Sequence, residues 1–417
     1  MPRALLFTSL ALAAGAMSAP AAPVRPAVDG PRPVASPRAV AADCNAPAPA
    51  PIVNVPLPGN PFTPVVTPDG CWIFVALGGA PQNGLVRGVA VLHREGGRIA
   101  VVRTVPLREN GTGAALSHDG KTLIVSAATG VAFLDVDRLT SGAGDPVTGT
   151  LEVGDGAGVI YVSTTAQDDL LFVALERAEA ILVADFAKAR RGAPNAVIGR
   201  VPVGRSPIAV TLSNDERFLY TTSQVALPDW GWPVACALEA RPDDPPSTPK
   251  GGIVVIDVAR ARTDPAHAVA ARVPVGCHPV RLVLSPDGTT AWVSVRGEHA
   301  VAAVDTRKLL DDPDHAVMTK LRVGTAPVGV AVIDGGRKVI STNSNRFAGG
   351  ADDRQSLNVI DAADGPASAK LLGTIPAGAF PRELRVTADG HTLLATNFGS
   401  RTLEVVDLRR LQAALQP

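Results

Sequence analysis

Short hydrophobic runs separated by turn sequences fill most of the chain. Within residues 273–305, the segment 280–284 alternates, and Ser285-Pro286-Asp287-Gly288 follows it. Proline, aspartate and glycine in this order favour a tight β-turn. Two further hydrophobic runs, 291–295 and 300–305, come after the turn. The stretch therefore predicts short consecutive β-strands.

The same succession of turn and strands occurs seven times, which predicts a protein built from structural repeats. The seven corresponding turns contain Asp69, Asp119, Asp168, Asp215, Asp287, Asp334 and Asp389. Successive turns lie roughly 50 residues apart, except for one interval of roughly 72, within the range of β-propeller blades. Six of the seven third runs end in an aspartate, and this repetition around a ring predicts a structural role in turns. These residues are Asp135, Asp185, Asp257, Asp305, Asp361 and Asp407, and the first repeat has His93 instead.

The last repeat lacks its fourth strand at the C-terminal end of the chain. Residues 52–61, near the other end, match the pattern of residues 201–207, which contain a fourth strand. We therefore predict that the N-terminal segment completes the last sheet and closes a ring of seven four-stranded blades, which leaves only short, protected sheet edges. The predicted fold class is all-β, a seven-bladed β-propeller. A two-sheet β-sandwich is the alternative, but it explains neither the repeat period nor the displaced strand.

Residues 1–18 carry Arg3 and a hydrophobic run followed by small residues. The run has about 13 residues, which is too short to span a bilayer and typical of a signal peptide. Residues 19–43 are rich in alanine and proline without periodicity, which predicts a flexible tether. Residues 44–417 then form a single propeller domain. We expect an exported protein, periplasmic or extracellular, with no membrane span after signal cleavage.

The chain has 39 basic and 39 acidic residues and a formal net charge of +0. This neutral balance argues against a basic surface for nucleic acid, so no nucleic-acid partner is expected. The sequence contains no Walker loop, G-x-S-x-G elbow or haem-attachment motif, and no cysteine–histidine spacing typical of a metal site. We therefore predict no cofactor and no metal, and we expect a monomer.

Four cysteines in an exported chain suggest two disulfides, with three possible pairings. In a propeller, the loops between second and third strands share one face, here named the top face, with the connections between blades. Cys236 and Cys277 both fall on this top face in adjacent positions. Cys44 and Cys71 both fall near the closure of the ring. The topology therefore predicts the pairs Cys44–Cys71 and Cys236–Cys277.

Repeat five contains Gly276 and Pro279, followed by the segments 285–288, 292–295 and 301–305. This order resembles the G-x-x-P, (S/T)-P-D-G, (Y/F)-V-(S/T)-N and V-x-V-(I/V)-D pattern of the YVTN-type β-propeller family, in the wider group of seven-bladed, lactonase-like propellers. The asparagine of the pattern occurs here at two positions, Asn343 and Asn397. The resemblance covers about residues 52–407 and implies the propeller fold. Similar repeats occur in lactonases, in propeller parts of redox enzymes and in other exported bacterial proteins, so the resemblance implies no single function.

Charged and aromatic residues that depart from the repeat collect at the predicted top face. The first strands mostly carry small or hydrophobic residues there, and the exceptions are Tyr161, Arg281, Arg382, Glu383 and Arg385. Nearby top loops add further arginines, Arg296 and Arg346. Guanidinium groups that converge at a channel mouth would suit a carboxylate, a phosphate or an anionic sugar. The alternative is a solvated rim of mixed charge in which Arg281 and Glu383 pair with each other.

The long loop of repeat four, residues 223–251, contains Trp230 and Trp232. If the loop overhangs the channel, the two indoles could stack on a sugar or a planar ligand. In the other interpretations the loop is a lid, or its tryptophans pack back onto the blade beside a disulfide.

Catalytic candidates are few. His278, His299 and Glu298 fall on the top face and could form an acid–base pair, but the sequence places no orienting partner beside them. We therefore predict a binding or interaction module whose partner is a small anionic or sugar-like ligand or another protein, with its site on the top face of blades four to seven. The alternative is a lactonase-like hydrolase that acts on an anionic sugar lactone.

Overall fold

The computed structural model describes residues 43–237, 247–345 and 355–416. The predicted signal peptide, nearly all of the predicted tether and Arg346 lie outside the described residues. The described residues fold into seven antiparallel sheets, each with four strand positions, arranged as the blades of a seven-bladed β-propeller. This architecture confirms the predicted fold class.

Strand β1 (Ile52–Pro56) comes first in the chain but belongs to the last blade. Blade one contains, from the innermost strand outward, β2 (Asn60–Val66), β3 (Trp72–Gly78), β4 (Gly88–Glu95) and β5 (Arg98–Pro106). Blade two contains β6 (Gly111–Leu116), β7 (Thr122–Ala127), β8 (Gly130–Asp135) and β9 (Val147–Glu152). Blade three contains β10 (Val159–Thr164), β11 (Leu170–Leu175), β12 (Ala180–Asp185) and β13 (Val197–Pro202).

Blade four has a divided innermost position and a small added hairpin. Its strands are β14 (Arg205–Pro207) and β15 (Thr211–Leu212), then β16 (Phe218–Val225), β19 (Gly251–Asp257) and β20 (Val269–Gly276), with the hairpin β17 (Val234–Cys236) and β18 (Thr248–Pro249). Blade five contains β21 (Pro279–Leu284), β22 (Thr290–Val295), β23 (Ala300–Asp305) and β24 (Val317–Arg322). Blade six contains β25 (Pro327–Ile333), β26 (Lys338–Asn343), β27 (Ser356–Asp361) and β28 (Lys370–Pro376). Blade seven contains β29 (Pro381–Val386), β30 (Thr392–Asn397), β31 (Thr402–Asp407) and β1.

The helices are short and lie between strands or after the last strand. The α-helices are α1 (Val136–Ser141), α2 (Phe186–Arg190), α3 (Val258–Ala261) and α4 (Leu411–Ala414). The 3₁₀ turns are Pro81–Asn83, Pro228–Trp230, Pro265–His267, Arg296–Glu298, Thr306–Lys308, Pro313–His315, Asp334–Gly336, Pro366–Ser368 and Leu408–Arg410. Of the helices that the structure describes, none has the length and hydrophobicity needed to cross a membrane.

The burial of a strand follows from its place in the blade. The second and third strands are covered on both faces by neighbouring blades, and β11 is accordingly buried throughout its length. Strands of this kind appear in the sequence as continuous hydrophobic runs. The outermost strand is less covered, and β5 consists of exposed and partly buried residues. The hydrophobic core is therefore a series of clusters between successive blades.

Strand β1 completes blade seven, as the sequence predicts. It pairs antiparallel with β31, with Ile52 opposite Val406 and Pro56 opposite Thr402. Val55 of β1 is buried in a hydrophobic cluster that includes residues of blade seven and of blade one. A segment near the start of the described chain thus joins the last blade to the first.

Both disulfides have the pairing that the topology predicts. Cys44 and Cys71 join the segment before β1 to the turn between β2 and β3 of blade one. Cys236 and Cys277 join strand β17 to the connection between blades four and five. All four cysteines of the chain are therefore bonded.

The repeated aspartates bind backbone groups. Asp135, at the end of β8, accepts a hydrogen bond from the N–H of Arg138 and caps α1. The same capping contact is made by Asp185, Asp257, Asp305 and Asp407. In the turn after β21, the Ser285 hydroxyl donates to Asp287 and accepts the N–H of Thr290. The predicted structural role of these carboxylates is confirmed.

A buried hydroxyl in the second strand links each of several blades to the next. Ser294 in β22 accepts the N–H of Arg281 at 2.9 Å and donates to the carbonyl of Val328 in blade six at 2.7 Å. Thr222 does the same one blade earlier, where it donates to the Val280 carbonyl at 2.8 Å. The serine or threonine of the repeat pattern therefore satisfies backbone groups of two blades at once.

Replacing Ser294 by alanine should destabilise the protein by about 1–3 kcal/mol, because a buried N–H and a buried carbonyl both lose their partner. Ser294→Thr, which keeps the hydroxyl, is the matched control and should cost less. Chemical denaturation of the three proteins tests this expectation. Equal midpoints for the alanine variant and the unchanged protein would contradict it.

Candidate functional site

Side chains from blades three, five and seven meet at the centre of the ring. The Tyr161 hydroxyl in β10 donates a hydrogen bond to Glu383 Oε1 in β29 at 2.6 Å. Arg281 in β21 donates to the same carboxylate through Nε, at 3.1 and 3.0 Å, and through Nη2 at 2.7 Å. These three blades are not neighbours in the ring, so their side chains can touch only across the central channel. We name Tyr161, Arg281 and Glu383 the central cluster.

Irregular strand pairing brings these side chains to the channel. The innermost strands of blades three, five and seven each show a shift of register at the residue concerned. Such a shift leaves residues unpaired and redirects their side chains. The backbone is nevertheless held in place, because the N–H of Arg281 donates to Ser294 at 2.9 Å and the N–H of Glu383 donates to Thr396 at 3.1 Å. The central cluster is therefore built on fixed backbone.

The central cluster is largely buried and its charges are paired. The side chains of Arg281 and Glu383 are 12% and 8% exposed. The guanidinium carbon of Arg281 lies 3.2 Å from the centroid of the Tyr161 ring, a cation–π contact. Burial lowers the pKa of Arg281, and the Glu383 carboxylate opposes this shift. The structure thus contains the Arg281–Glu383 pair, which the sequence predicts as the alternative to an Arg281 that is available for a ligand.

Arg382 and Arg385 add positive charge beside the central cluster. Both guanidinium groups are close enough to lower the pKa of Arg281 by repulsion. The Arg385 side chain is exposed, and its Nε lies 3.5 Å from the Pro64 carbonyl oxygen. Arginine stays protonated in proteins, so three cations share this region with two carboxylates, those of Glu383 and Glu176, which oppose the lowering of the Arg382 pKa by burial. The channel therefore has the charge needed to attract an anion.

Arg382 lies among three phenylalanines. Its guanidinium carbon is 4.3 Å from the centroid of the Phe62 ring, and 5.7 and 5.9 Å from those of Phe380 and Phe398. In the part of the chain that the structure describes, the buried Nε of Arg382 has no hydrogen-bond acceptor. We name Phe62, Phe380 and Phe398 the aromatic collar.

Two of the predicted acid–base residues bind local backbone. Glu298 accepts the N–H of Cys277 at 3.0 Å and pairs with Lys320 at 2.8 Å. Nδ1 of His299 accepts the N–H of Ala326 at 3.0 Å. These contacts hold the top loops of blade five to their neighbours, and neither side chain contributes to the central cluster.

His278 and Arg296 also lie in the top loops. His278 is buried, with Nε2 at 3.5 Å from the Thr248 hydroxyl of the added hairpin. Arg296 donates through Nη2 to Gln224 Oε1 at 2.7 Å. The top-loop candidates therefore form local contacts around blades four and five, separate from the cluster in the channel. The described residues hold no group of three or more histidine, cysteine or acidic side chains arranged for a metal.

Trp230 and Trp232 pack onto blade four. Their ring centroids are 5.0 Å apart in an edge-to-face arrangement, and Arg272 of the outermost strand lies 5.0 Å from the Trp230 ring. The Trp230 ring covers Gly204 and the Trp232 ring covers Gly252, so closely that a Cβ at either glycine would collide with the indole. Of the interpretations that the sequence allows, the structure therefore agrees with the one in which the two tryptophans pack back onto the blade.

Sequence reasoning missed a buried carboxyl in blade seven. Glu404 of β31 is fully buried, and its Oε2 accepts a hydrogen bond from Asn397 Nδ2 at 2.9 Å. Among the described residues, neither Glu404 Oε1 nor Asn397 Oδ1 has a partner. Burial raises the pKa of Glu404 to about 7, although hydrogen bonds from Asn397 and the Gly378 N–H oppose the shift. An alignment of the third strands would have singled out Glu404, because it places this residue at the same strand position as another polar residue, Asn358 of blade six.

The phenylalanines of the aromatic collar were missed for a different reason. They come from the innermost strand of blade one and from two separate connections of blade seven. Only the closure of the ring places Phe62 beside Phe380 and Phe398. A signal was present at Phe380, the one phenylalanine among residues that precede the same proline in repeats four to seven, where the others are Ser206, His278 and Ala326.

No protein-family model and no curated protein matches this chain. Solved structures match it in fold. A candidate 6-phosphogluconolactonase from Bacteroides uniformis matches with a TM-score of 0.64 and 16% identity, over 83% of this chain and 94% of that one. The periplasmic gluconolactonase of Pseudomonas aeruginosa matches with a TM-score of 0.59 and 20% identity, over 78% of this chain and 88% of that one.

A third solved structure belongs to a different functional class. Hydrazine synthase of Kuenenia stuttgartiensis matches with a TM-score of 0.60 and 17% identity, over 85% of this chain and 97% of that one. Identities this low show a shared fold only. This chain is therefore a seven-bladed β-propeller whose structural neighbours include proteins named as gluconolactonases, and function must be argued from its own residues.

Proposed function

We propose that this protein is an exported binding module that holds a small anionic ligand in its central channel. The observation that carries the proposal is the cluster of three arginines, Arg281, Arg382 and Arg385, which outnumber the two carboxylates near them, Glu383 and Glu176. Glu383 already pairs with Arg281. Arg382 and Arg385 remain as cations at the channel wall, where a carboxylate or phosphate can bind a guanidinium through two hydrogen bonds.

The location of the site differs in part from the sequence expectation. The residues that converge come from blades three, five and seven, and the loop tryptophans of blade four pack elsewhere. A protein partner on the top face is the broader alternative. The buried position of the central cluster favours a small molecule, because a protein surface would not reach side chains at the channel axis.

Calorimetric titration with gluconate and with inorganic phosphate, at constant ionic strength, tests the proposal. We expect saturable binding that weakens about tenfold or more in Arg385→Gln, because one charge-assisted contact is lost. Arg322→Gln is the matched control, since Arg322 is an exposed arginine at the end of the outermost strand of blade five. Equal weakening in both variants, or no binding of any anion, would contradict the proposal.

Lactone hydrolysis is the second candidate. Two structural neighbours bear gluconolactonase names, and the Tyr161–Glu383 contact places a phenol beside a carboxylate in the channel. In this reaction Glu383 would activate water for attack on the lactone carbonyl, and an arginine would stabilise the oxyanion. Binding is ranked first because both oxygens of Glu383 already accept hydrogen bonds from Arg281.

Assays with glucono-δ-lactone and its 6-phosphate separate the two candidates. Turnover that is lost in Glu383→Gln and Tyr161→Phe would establish the hydrolase and demote the binding module. Turnover that is lost only in His278→Ala and His299→Ala would place catalysis in the top loops instead. Binding of gluconate without turnover would leave the binding module as the function.

The proposal of export rests on two observations. The chain has two disulfides, which form and persist in oxidising compartments. Residues 1–18 have the composition of a signal peptide. N-terminal sequencing of the protein from a periplasmic extract and from the medium would identify the cleavage site and the compartment.

A further inference from the structure

Arg382 has donors that the described protein does not use. Its Nε is buried without an acceptor, and within the described residues it makes contact with phenyl rings in place of hydrogen bonds. A buried N–H without a partner costs about 1–3 kcal/mol. Buried donors of this kind are rare in folded proteins and call for an explanation such as a ligand or a bound water. Among the residues that the structure describes, the Nε of Arg382 therefore lacks an acceptor.

The aromatic collar is a built feature of the fold. The Phe62 and Phe398 rings meet edge to face at 5.2 Å, and the Phe380 ring lies 5.2 Å from that of Phe398. All three are only partly buried, so ring surface remains open to solvent next to the guanidinium. Hydrophobic surface of this kind attracts hydrophobic ligand groups.

Phe380 occupies a backbone position that is unfavourable for it. Its φ is 53°, in the left-handed region, where a bulky residue is an outlier. The same φ occurs in the equivalent positions of three other blades, at Ser206, Ala326 and His278, so the repeat imposes this conformation whatever the size of the side chain. Backbone strain of this kind is concentrated at functional sites. At Phe380 the strained position carries a phenyl ring that contributes hydrophobic surface to the collar.

We propose that Arg382 and the aromatic collar bind a hydrophobic carboxylate, in which an aromatic or aliphatic group is attached to the carboxyl. The inference deepens the proposed anion-binding function and rests on it. The guanidinium binds the carboxylate, and the three rings cover the hydrophobic part of the ligand. The aromatic collar itself offers no side-chain partner for hydroxyl groups, so a sugar acid placed there would leave its hydroxyls without hydrogen bonds.

Competition on the unaltered full-length protein tests the proposal without any variant. Benzoate and hexanoate are compared with gluconate and inorganic phosphate by calorimetric titration at one pH and ionic strength. We expect the two hydrophobic carboxylates to bind at least tenfold more tightly than gluconate. Gluconate binding that equals or exceeds benzoate binding would overturn this inference and leave the anion-binding function standing. No binding of any of the four anions would overturn both.

Two variants then assign the roles of the groups. Arg382→Gln should weaken benzoate binding at least tenfold. Phe398→Ser should weaken benzoate at least tenfold and leave gluconate within about twofold, because only the hydrophobic contact is lost. Arg217→Gln is the matched control, since Arg217 lies 4.9 Å from the Phe218 ring in blade four, away from the channel. Equal loss of gluconate and benzoate in Phe398→Ser would overturn the assignment of the collar.

Discussion

A chain that begins at Pro58, and so lacks strand β1, should melt about 6–10 °C below a chain that begins at Asp43. The shorter chain loses the fourth strand of blade seven and exposes the cluster in which Val55 is buried. It also loses Leu57, which is buried in the same cluster, and the Cys44–Cys71 disulfide. Hydrophobic burial and the disulfide together contribute roughly 5–8 kcal/mol.

Two controls separate the contributions of strand and disulfide. The double variant Cys44→Ser/Cys71→Ser in the longer chain should lose about 3.5 kcal/mol, the value expected for closing a loop of 27 residues. A chain that begins at residue 19, and so keeps the predicted tether, should melt at the same temperature as the chain that begins at Asp43. Equal melting temperatures for the chain that begins at Pro58 and the longer chain would show that β1 does not stabilise blade seven.

The second large effect concerns Glu404 and pH. Its pKa in the folded protein is raised to about 7, above the value of 4.5 for an ordinary glutamate. The folded state therefore binds this proton more tightly than the unfolded state does. The stabilisation is fully present below pH 4.5, and it is lost as pH rises through 7. The loss attributable to this group amounts to about 3 kcal/mol.

Glu404→Gln should remove this pH dependence and raise the free energy of unfolding at pH 8 by up to about 3 kcal/mol. The amide of the variant can donate to Asn397 Oδ1, as Asn358 Nδ2 donates to Asn343 Oδ1 in blade six at 2.6 Å. The measurement is urea denaturation between pH 5 and pH 8. Glu152→Gln, an exposed change on the outermost strand of blade two, should leave the pH profile unaltered. Parallel profiles for Glu404→Gln and the unchanged protein would refute the assignment.

Most of the fold could be predicted from local patterns. Turn residues such as Asp287 and hydrophobic runs such as that of β11 set the repeat, because turns and buried strands impose their own residue preferences. The displaced strand β1 was predictable because it copies the pattern of other fourth strands. The disulfide partners followed, since the topology places Cys236 near Cys277.

The candidate site was predictable only in part. Tyr161, Arg281 and Glu383 stand out because they replace small residues in a repeat, and the structure brings all three together. Glu298 and His299 stand out as acid–base residue types in the top loops, yet they bind backbone groups of neighbouring loops. Departure from a repeat identifies an unusual residue, but it does not say which neighbour the side chain meets.

The number of blades, the closure of the ring and the positions of the turns follow from the order of residues along the chain. They depend on contacts between segments that are close in sequence or that repeat one pattern. The pairing of Arg281 with Glu383, the aromatic collar around Arg382 and the raised pKa of Glu404 depend on the folded structure. The first two arise where blades distant in sequence meet, and the third arises from burial of Glu404 inside blade seven, because burial and distance decide the energy of a charge.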